Sequence, residues 1–401
     1  MVKYALTSLK SIFLSKSFYL IVTMSSLLFW ILMTKCDTDI PTHIQQVVKI
    51  NSKENTYPSN FGFYITINLL TFISSNLKYL NIVTILVLSC AVFLKFQITL
   101  EFLRRYIKKS VNENGLILIA VFLLFCFAII DPFTILLTGE LKMYVGKIVS
   151  NVWHNSTIIA VMPFSIALFW MQIRVFENGY FTSIFQTVLM CVLILLNVII
   201  KPAFLIVYIP ITFIFLLMNL KTTNLLTKNT VLLFSPLLLA TFLILGQSYL
   251  IYYLGLGSIS NESSAVSFSY PFEIMGLSLP KWYIPISLFF SLLFPLISIL
   301  FYKEILNFIP FKYAIYLTLF GFLFGAFFKE TGPRMLHGNL MWQNIICCYL
   351  LFMTSVAFLM KKTENFKTMT RKNKILWSVF LMHCFSGIIY IVKFIFVGNG
   401  A

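Results

Sequence analysis

Chemistry in this chain has to come from few side chains, because only thirteen acidic residues and four histidines are present. The first group is Cys36-Asp37-Thr38-Asp39-Ile40-Pro41-Thr42-His43, which sets two carboxylates and an imidazole within seven residues. A helical path from Asp39 would put His43 on the same face at i, i+4. Such a carboxylate can take a proton from a hydroxyl. The second group is Trp153-His154-Asn155, and the third is Lys201-Pro202. The fourth is Glu330 with Gly332-Pro333-Arg334-Met335-Leu336-His337-Gly338-Asn339. Arg334 is suited to phosphate, being always charged and able to bind through two parallel hydrogen bonds. Each group also has a plain structural reading. A lone Asp beside a span can be a solvated charge. Lys201 can be a snorkelling helix-end lysine, Trp153 an interface anchor, and Arg334 a headgroup contact in a turn. His383, inside an apolar run, reads as a satisfied interior histidine. The clustering shifts the balance: three of the four histidines lie close to span ends, beside these charges.

The elements that must position these residues are membrane helices. The chain has 401 residues, 59% hydrophobic and 11% charged, against roughly 25% charged in a soluble domain. Several apolar runs approach or exceed the roughly 20 residues needed to cross a bilayer as helix. The net charge of +17 is read as positive-inside bias rather than as a nucleic-acid surface. We expect eleven spans: Phe18–Met33, Leu80–Leu100, Leu116–Leu137, Thr157–Gln172, Phe181–Ile200, Phe204–Leu220, Thr230–Leu254, Tyr283–Tyr302, Tyr313–Phe328, Leu340–Met360 and Ile375–Val397. Lys3, Lys10 and Lys16 put the N-terminus in the cytoplasm, and an odd count puts the C-terminus outside. The basic clusters at Arg104 to Lys109 and Lys361 to Lys374 then fall inside. This count requires Phe61–Ser75 to lie in the outer interface without crossing. The expected fold is a single all-α membrane domain over 1–401, with outer loops at 35–79, 138–155, 255–281 and 329–339. The seven cysteines show no CxxC spacing and read as small packing residues. No cleavable signal peptide is evident.

Absences narrow the chemistry. There is no Walker A sequence, no HExxH and no GxSxG, which argues against ATPases, zincins and serine hydrolases of the elbow type. Asp131 is the main carboxylate in an apolar run, too little for the carboxylate arrays of ion-coupled carriers. An outward site joining carboxylates to Arg, Lys and His beside a bilayer suits a lipid-linked phosphosugar and a sugar hydroxyl. The base would activate the hydroxyl, and the cations would stabilise the leaving phosphate.

This layout resembles the GT-C class of polyprenyl-phosphate-sugar-dependent glycosyltransferases and, more loosely, bacterial O-antigen or capsule polymerases. The resembling residues are Cys36-Asp37-Thr38-Asp39 with His43, the interfacial segment Tyr57-Pro58-Ser59-Asn60-Phe61-Gly62-Phe63-Tyr64, and the span end Leu103-Arg104-Arg105. The resemblance covers roughly the first 110 residues. It implies an inverting transfer on the outer face of a bacterial inner membrane. Asp37 or Asp39 would be the base, and Lys201, Arg334 and His337 would hold the donor phosphate. His43, His154, Asn155, Glu330 and Asn339 would complete the substrate site. Some members of the class hold a divalent cation at the loop carboxylates, here Asp37 and Asp39, but two Asp residues do not define such a site. The implied partners are the bilayer, a polyprenyl-linked donor and a glycan acceptor, with no nucleic acid. Many GT-C enzymes carry a large soluble domain at the C-terminal end, and none is expected here. The alternatives are a polysaccharide flippase or other transporter, and a membrane O-acyltransferase. The latter pattern wants an Arg soon after the first-span Asp, and the first Arg here is Arg104.

Overall fold

The computed structural model describes residues 16–107, 112–131, 133–138, 146–180, 182–220, 228–255, 264–273, 280–363 and 368–397. Within them the chain is almost wholly helical, as lipid demands of a backbone with no water to bond to. The elements run α1 (Lys16–Lys35), α2 (Ile40–Asn51), α3 (Gly62–Leu70), α4 (Leu77–Tyr106), α5 (Glu113–Phe125), α6 (Phe133–Thr138), α7 (Ser156–Glu177), α8 (Ile184–Ile200), α9 (Ala203–Leu220) and α10 (Lys228–Tyr252). After β1 (Val266–Phe268) come α11 (Ile284–Phe301), α12 (Ile309–Phe327), β2 (Phe328–Glu330), α13 (Gln343–Lys362) and α14 (Arg371–Val397). Among the described residues, eight helices are long and apolar enough to cross a bilayer, and α5, α8 and α9 are shorter apolar helices. Ten of the eleven expected spans fall each on one of these helices, and only the first part of the other, Leu116–Leu137, falls on α5. At nine residues, α3 is about 14 Å long, less than half of a hydrocarbon core of roughly 30 Å.

α13 is the central helix. It is apolar on all sides, and every residue from Gln343 to Met360 is buried, the pattern of a helix enclosed by others. α10 is the opposite case. Leu238, Phe242 and Leu245 are each at least 65% exposed, which is the lipid-facing stripe of a peripheral helix.

The two ends of the bundle differ. At one end Arg105 pairs with Glu177 (2.9 Å), Tyr106 packs on Phe308, and Lys362 pairs with Glu304 (2.5 Å). α7 runs from there to Ser156 over 22 residues, about 33 Å. At that far end lie Asp39, His154 and Lys201. Arg105 and Lys362 thus lie at the opposite end of α7 from Asp39, His154 and Lys201.

Two expectations are corrected. The span expected over Leu116–Leu137 is not one helix: α5 stops at Phe125, and residues 126–131 are non-helical and largely buried. The cause lies in α11 and α14. Gly387 has no Cβ, and one there would overlap the Phe125 carbonyl oxygen. The chain fills that space and takes its hydrogen bonds from neighbours. Phe127 N donates to His383 O (3.1 Å), Ile129 N to Phe290 O (3.1 Å), and Ile130 N to Ser386 Oγ (3.2 Å). Phe290 O is free because α11 is distorted at Leu292, just before Pro295. His383 closes the arrangement: Nδ1 lies 2.6 Å from Phe127 O, and Nε2 accepts from Phe294 N at 3.3 Å. It is the satisfied interior histidine its position suggested.

The second correction concerns 138–155. Its described part, 146–155, is not a solvated loop but mostly buried chain. Asn151 Nδ2 donates to Leu123 O (3.0 Å) and Cys126 O (2.6 Å), and Lys147 pairs with Asp131, which also accepts from Tyr283. Trp153 is therefore no interface anchor. It is buried, 6.0 Å from both Phe29 and Phe125. The cysteines are free, and Cys126, Cys347, Cys348 and Cys384 are buried as packing residues.

Candidate active site

Asp39 stands at the start of α2, where Pro41 in the first turn presets the helix. Its carboxylate does not cap its own helix but reaches the start of α7. Oδ1 accepts from Ser156 N (3.0 Å) and Ser156 Oγ (3.2 Å), while the Asp39 amide donates to His154 O (3.2 Å). One turn on, His43 Nε2 lies 3.4 Å from Asp39 Oδ2, and its Nδ1 lies 2.6 Å from Tyr64 Oη on α3. With the phenol donating to Nδ1, a neutral ring carries its hydrogen on Nε2, toward Asp39. One carboxylate oxygen is thus committed to α7. The other faces His43, and the side chain keeps 29% of its surface open.

Asn155 caps α7, accepting from Ile158 N (3.0 Å) and Thr157 Oγ1 (3.1 Å). Lys201 lies in the break between α8 and α9, where Pro202 forces the residue before it out of helical conformation. Its φ of −164° is extended. Lys201 Nζ donates to Thr157 Oγ1 (3.1 Å) and Asn155 Oδ1 (3.5 Å), 4.6 Å from the centre of the Trp342 ring. The His154 ring lies 6.4 Å from the same indole, with Nδ1 3.2 Å from Tyr390 Oη.

The remaining residues gather around Glu330, at the end of β2. β1 pairs antiparallel with β2, Val266 opposite Glu330. Glu330 is 3% exposed. Its Oε1 accepts from Tyr252 Oη (2.8 Å) and Arg334 Nε (2.8 Å), and its Oε2 from Asn339 Nδ2 (2.6 Å). Gly338 adopts φ +59°, a turn that brings Asn339 back to Glu330 at little steric cost.

A cavity of about 460 Å³ is bordered by Lys201 of the first cluster and by Glu330, Arg334 and Asn339 of the second. Lys201, Glu330, Arg334 and Asn339 line its charged part; Ser59, Asn60, Gln247 and Ser248 give it neutral polar groups. Ile206, Ile209, Pro210, Ile244, Leu245 and Phe324 supply an apolar wall from α9, α10 and α12. Leu245 is 65% exposed, so this wall reaches the lipid-facing side of α10.

The electrostatics follow from burial and neighbours. Burial works to raise the Asp39 pKa, but His43, the Ser156 amide and His154 outweigh it and hold the carboxyl below its ordinary range. Burial lowers the pKa of Lys201 to about 8; Asp39 opposes the fall and Arg334 adds to it. His154 is lowered by burial and by Lys201, against the pull of Asp39, so it is neutral at pH 7. Tyr64 is raised by burial and by Asp39, which keeps its phenol a hydrogen-bond donor.

The structure thus brings Asp39, His43, His154, Asn155 and Lys201 into one connected group, and Glu330, Arg334 and Asn339 into a second that shares a cavity with Lys201. It separates the two Asp residues: Asp37 is exposed and does not converge with Asp39. Among the described residues no three His, Cys, Asp or Glu side chains gather as metal ligands. The side chain of His337 lies outside the described ones. Sequence reasoning missed Tyr64, Ser156, Thr157, Trp342 and Tyr252. Tyr64 had a signal, standing in the aromatic segment after Pro58; Tyr252, at a span end 78 residues before Glu330, had none. In comparisons with family models, curated proteins and solved structures, none matches this chain.

Proposed function

We propose that this chain is a multi-pass membrane glycosyltransferase. It transfers a sugar or oligosaccharide from a polyprenyl-phosphate or polyprenyl-pyrophosphate donor to a glycan hydroxyl. The observation that carries the reading is the cavity. A water-soluble substrate does not need its long apolar wall, and an uncharged lipid does not need Lys201 and Arg334. A donor with an isoprenoid tail, an anionic link and a polar sugar uses all three kinds of lining. Asp39 lies outside the cavity lining, bonded to Ser156 and close enough to Lys201 to act on it electrostatically; in this reading the acceptor approaches from its side.

In this reading the acceptor hydroxyl attacks the anomeric carbon, whose bond to the phosphate oxygen breaks. The phosphate leaves with the bonding electron pair, stabilised by Lys201 and Arg334. The hydroxyl proton passes to Asp39. A carboxyl held below its ordinary range is a modest base. Its roles are to orient the hydroxyl and to take the proton as the oxocarbenium-like centre develops. His43 and Tyr64 hold it in place. The reading also carries the expected topology: eleven crossings, the N-terminus in the cytoplasm, and the site facing the outside of a bacterial inner membrane in surface-polysaccharide assembly.

A second reading, transport, is favoured by one observation: the broken chain at 126–131 beside the buried Asp131–Lys147 pair, since interrupted helices line binding sites in transporters. Mass spectrometry of lipid-linked glycans and of finished surface polysaccharide, with the gene deleted and restored, separates the two. Glycosyl transfer predicts a shortened or unextended glycan, restored by the wild-type gene but not by Asp39→Asn at equal membrane level. Unchanged pools in the deletion strain would sink the reading.

A further inference from the structure

We infer that Glu330 sets the charge of the cavity so that it accepts a singly charged phosphodiester and discriminates against a diphosphate. This rests on the lipid-phosphate reading above and goes beyond it by choosing between its two donor classes.

Among the described residues the charged groups facing the cavity are Lys201, Arg334 and Glu330. Asp39 lies behind Lys201, close enough to act on it electrostatically. His154, beside Trp342, is neutral for the reasons given above. Lys329, on the same hairpin as Glu330, is neutralised by Glu273. The two cations are therefore matched by two carboxylates before any ligand arrives. One negative charge on the ligand leaves the site with one uncompensated negative charge, and two leave it with two, which a buried site of low dielectric penalises far more heavily.

The hydrogen-bond inventory agrees. Arg334 spends Nε on Glu330, leaving its terminal nitrogens for a ligand. Lys201 gives hydrogens to Thr157 and Asn155, leaving one of its three. That suffices for one phosphate group and is meagre for two. Glu330 is otherwise hard to explain in an anion pocket. It is a buried carboxylate held by three donors, and it opposes the ligand it would face. A role in rejecting a more highly charged ligand gives that repulsion a purpose.

The test uses the purified full chain in nanodiscs and two probes. Farnesyl methyl phosphate carries one negative charge at neutral pH; P1-farnesyl P2-methyl diphosphate carries two. Wild-type protein should prefer the phosphodiester by roughly tenfold or more, the scale of one uncompensated charge at a few ångström in a partly buried site. Glu330→Gln removes one negative charge, and Ser59→Lys adds a positive one on the cavity wall without touching the Glu330 hydrogen bonds. Each should narrow or invert the preference, and Ser59→Lys keeps the test alive if Glu330→Gln does not fold. Equal or tighter diphosphate binding by wild type would overturn the inference. So would an unchanged ratio in the folded variants. Binding of neither probe would instead remove the lipid-phosphate reading on which it stands.

Discussion

Lys201 offers the most direct access to this site, because its pKa of about 8 lies where binding can be measured on both sides of it. The perturbation is pH, and the ligand is farnesyl methyl phosphate, whose own charge does not change over the range. At pH 7 about 90% of Lys201 is charged, and at pH 9 about 10%. If the charged amine is what holds the phosphate, Kd should be nearly flat below pH 7.5 and rise about tenfold between pH 7 and 9. Lys201→Arg should abolish the rise, since guanidinium does not titrate here. Lys201→Met should bind weakly at every pH. Stability should move the other way. The folded-state pKa lies below the ordinary 10.5, so the charged form is disfavoured in the fold. The penalty is fully present below pH 8 and is relieved as pH rises toward 10.5. It is worth about 3 kcal/mol at most for that difference in pKa. Lys201→Met should therefore raise the melting temperature at pH 7 while losing the ligand, the trade-off expected of a group kept for function. Isothermal titration in nanodiscs reads the first effect and thermal unfolding the second. A flat wild-type profile from pH 7 to 9.5, or the same slope in Lys201→Met, would refute the assignment of the cation.

Other outcomes follow from the same geometry. Asp39→Asn should cut transfer by roughly 10²- to 10⁴-fold while Asp37→Asn stays near wild type, because only Asp39 reaches Ser156 and His43; equal losses in an in-membrane transfer assay would contradict the separation of the pair. Gly387→Ala should destabilise the fold by about 3 kcal/mol or more, since the added methyl meets the Phe125 carbonyl, and a normal melting temperature would show that the chain does not pass there. Asp131→Asn should cost about 3–5 kcal/mol by stranding a buried Lys147, and Lys147→Met in the same chain should recover much of that. Recovery of stability together with full glycan assembly would mark the pair as architectural, whereas loss of function despite regained stability would favour transport.

The residues show why some of this was legible beforehand. Span positions follow from runs of apolar side chains, since the cost of exposing a polar backbone to lipid makes long apolar segments helical regardless of their neighbours. Asp39 and His43 at i, i+4, and Asn155 just ahead of a span, were readable as local spacing. The break after Phe125 was not. It depends on a missing Cβ at Gly387 and on a carbonyl at Phe290 freed by the distortion before Pro295, both more than 150 positions away in the chain. Nor did spacing distinguish Asp37 from Asp39. They stand two residues apart, and only the approach of α7 decides which carboxylate meets a helix N-terminus.

By itself, then, the sequence determined that this is a helical membrane chain whose few charged groups lie mostly near span ends, because hydrophobicity and helical period are local properties. Tertiary structure alone decided that Lys201, Glu330, Arg334 and Asn339 share one cavity with an apolar wall. It also decided that Glu330 balances Arg334, and that Tyr64 rather than another residue meets His43. Those facts are contacts between helices, set by packing and side-chain shape, and no single segment of the chain carries them.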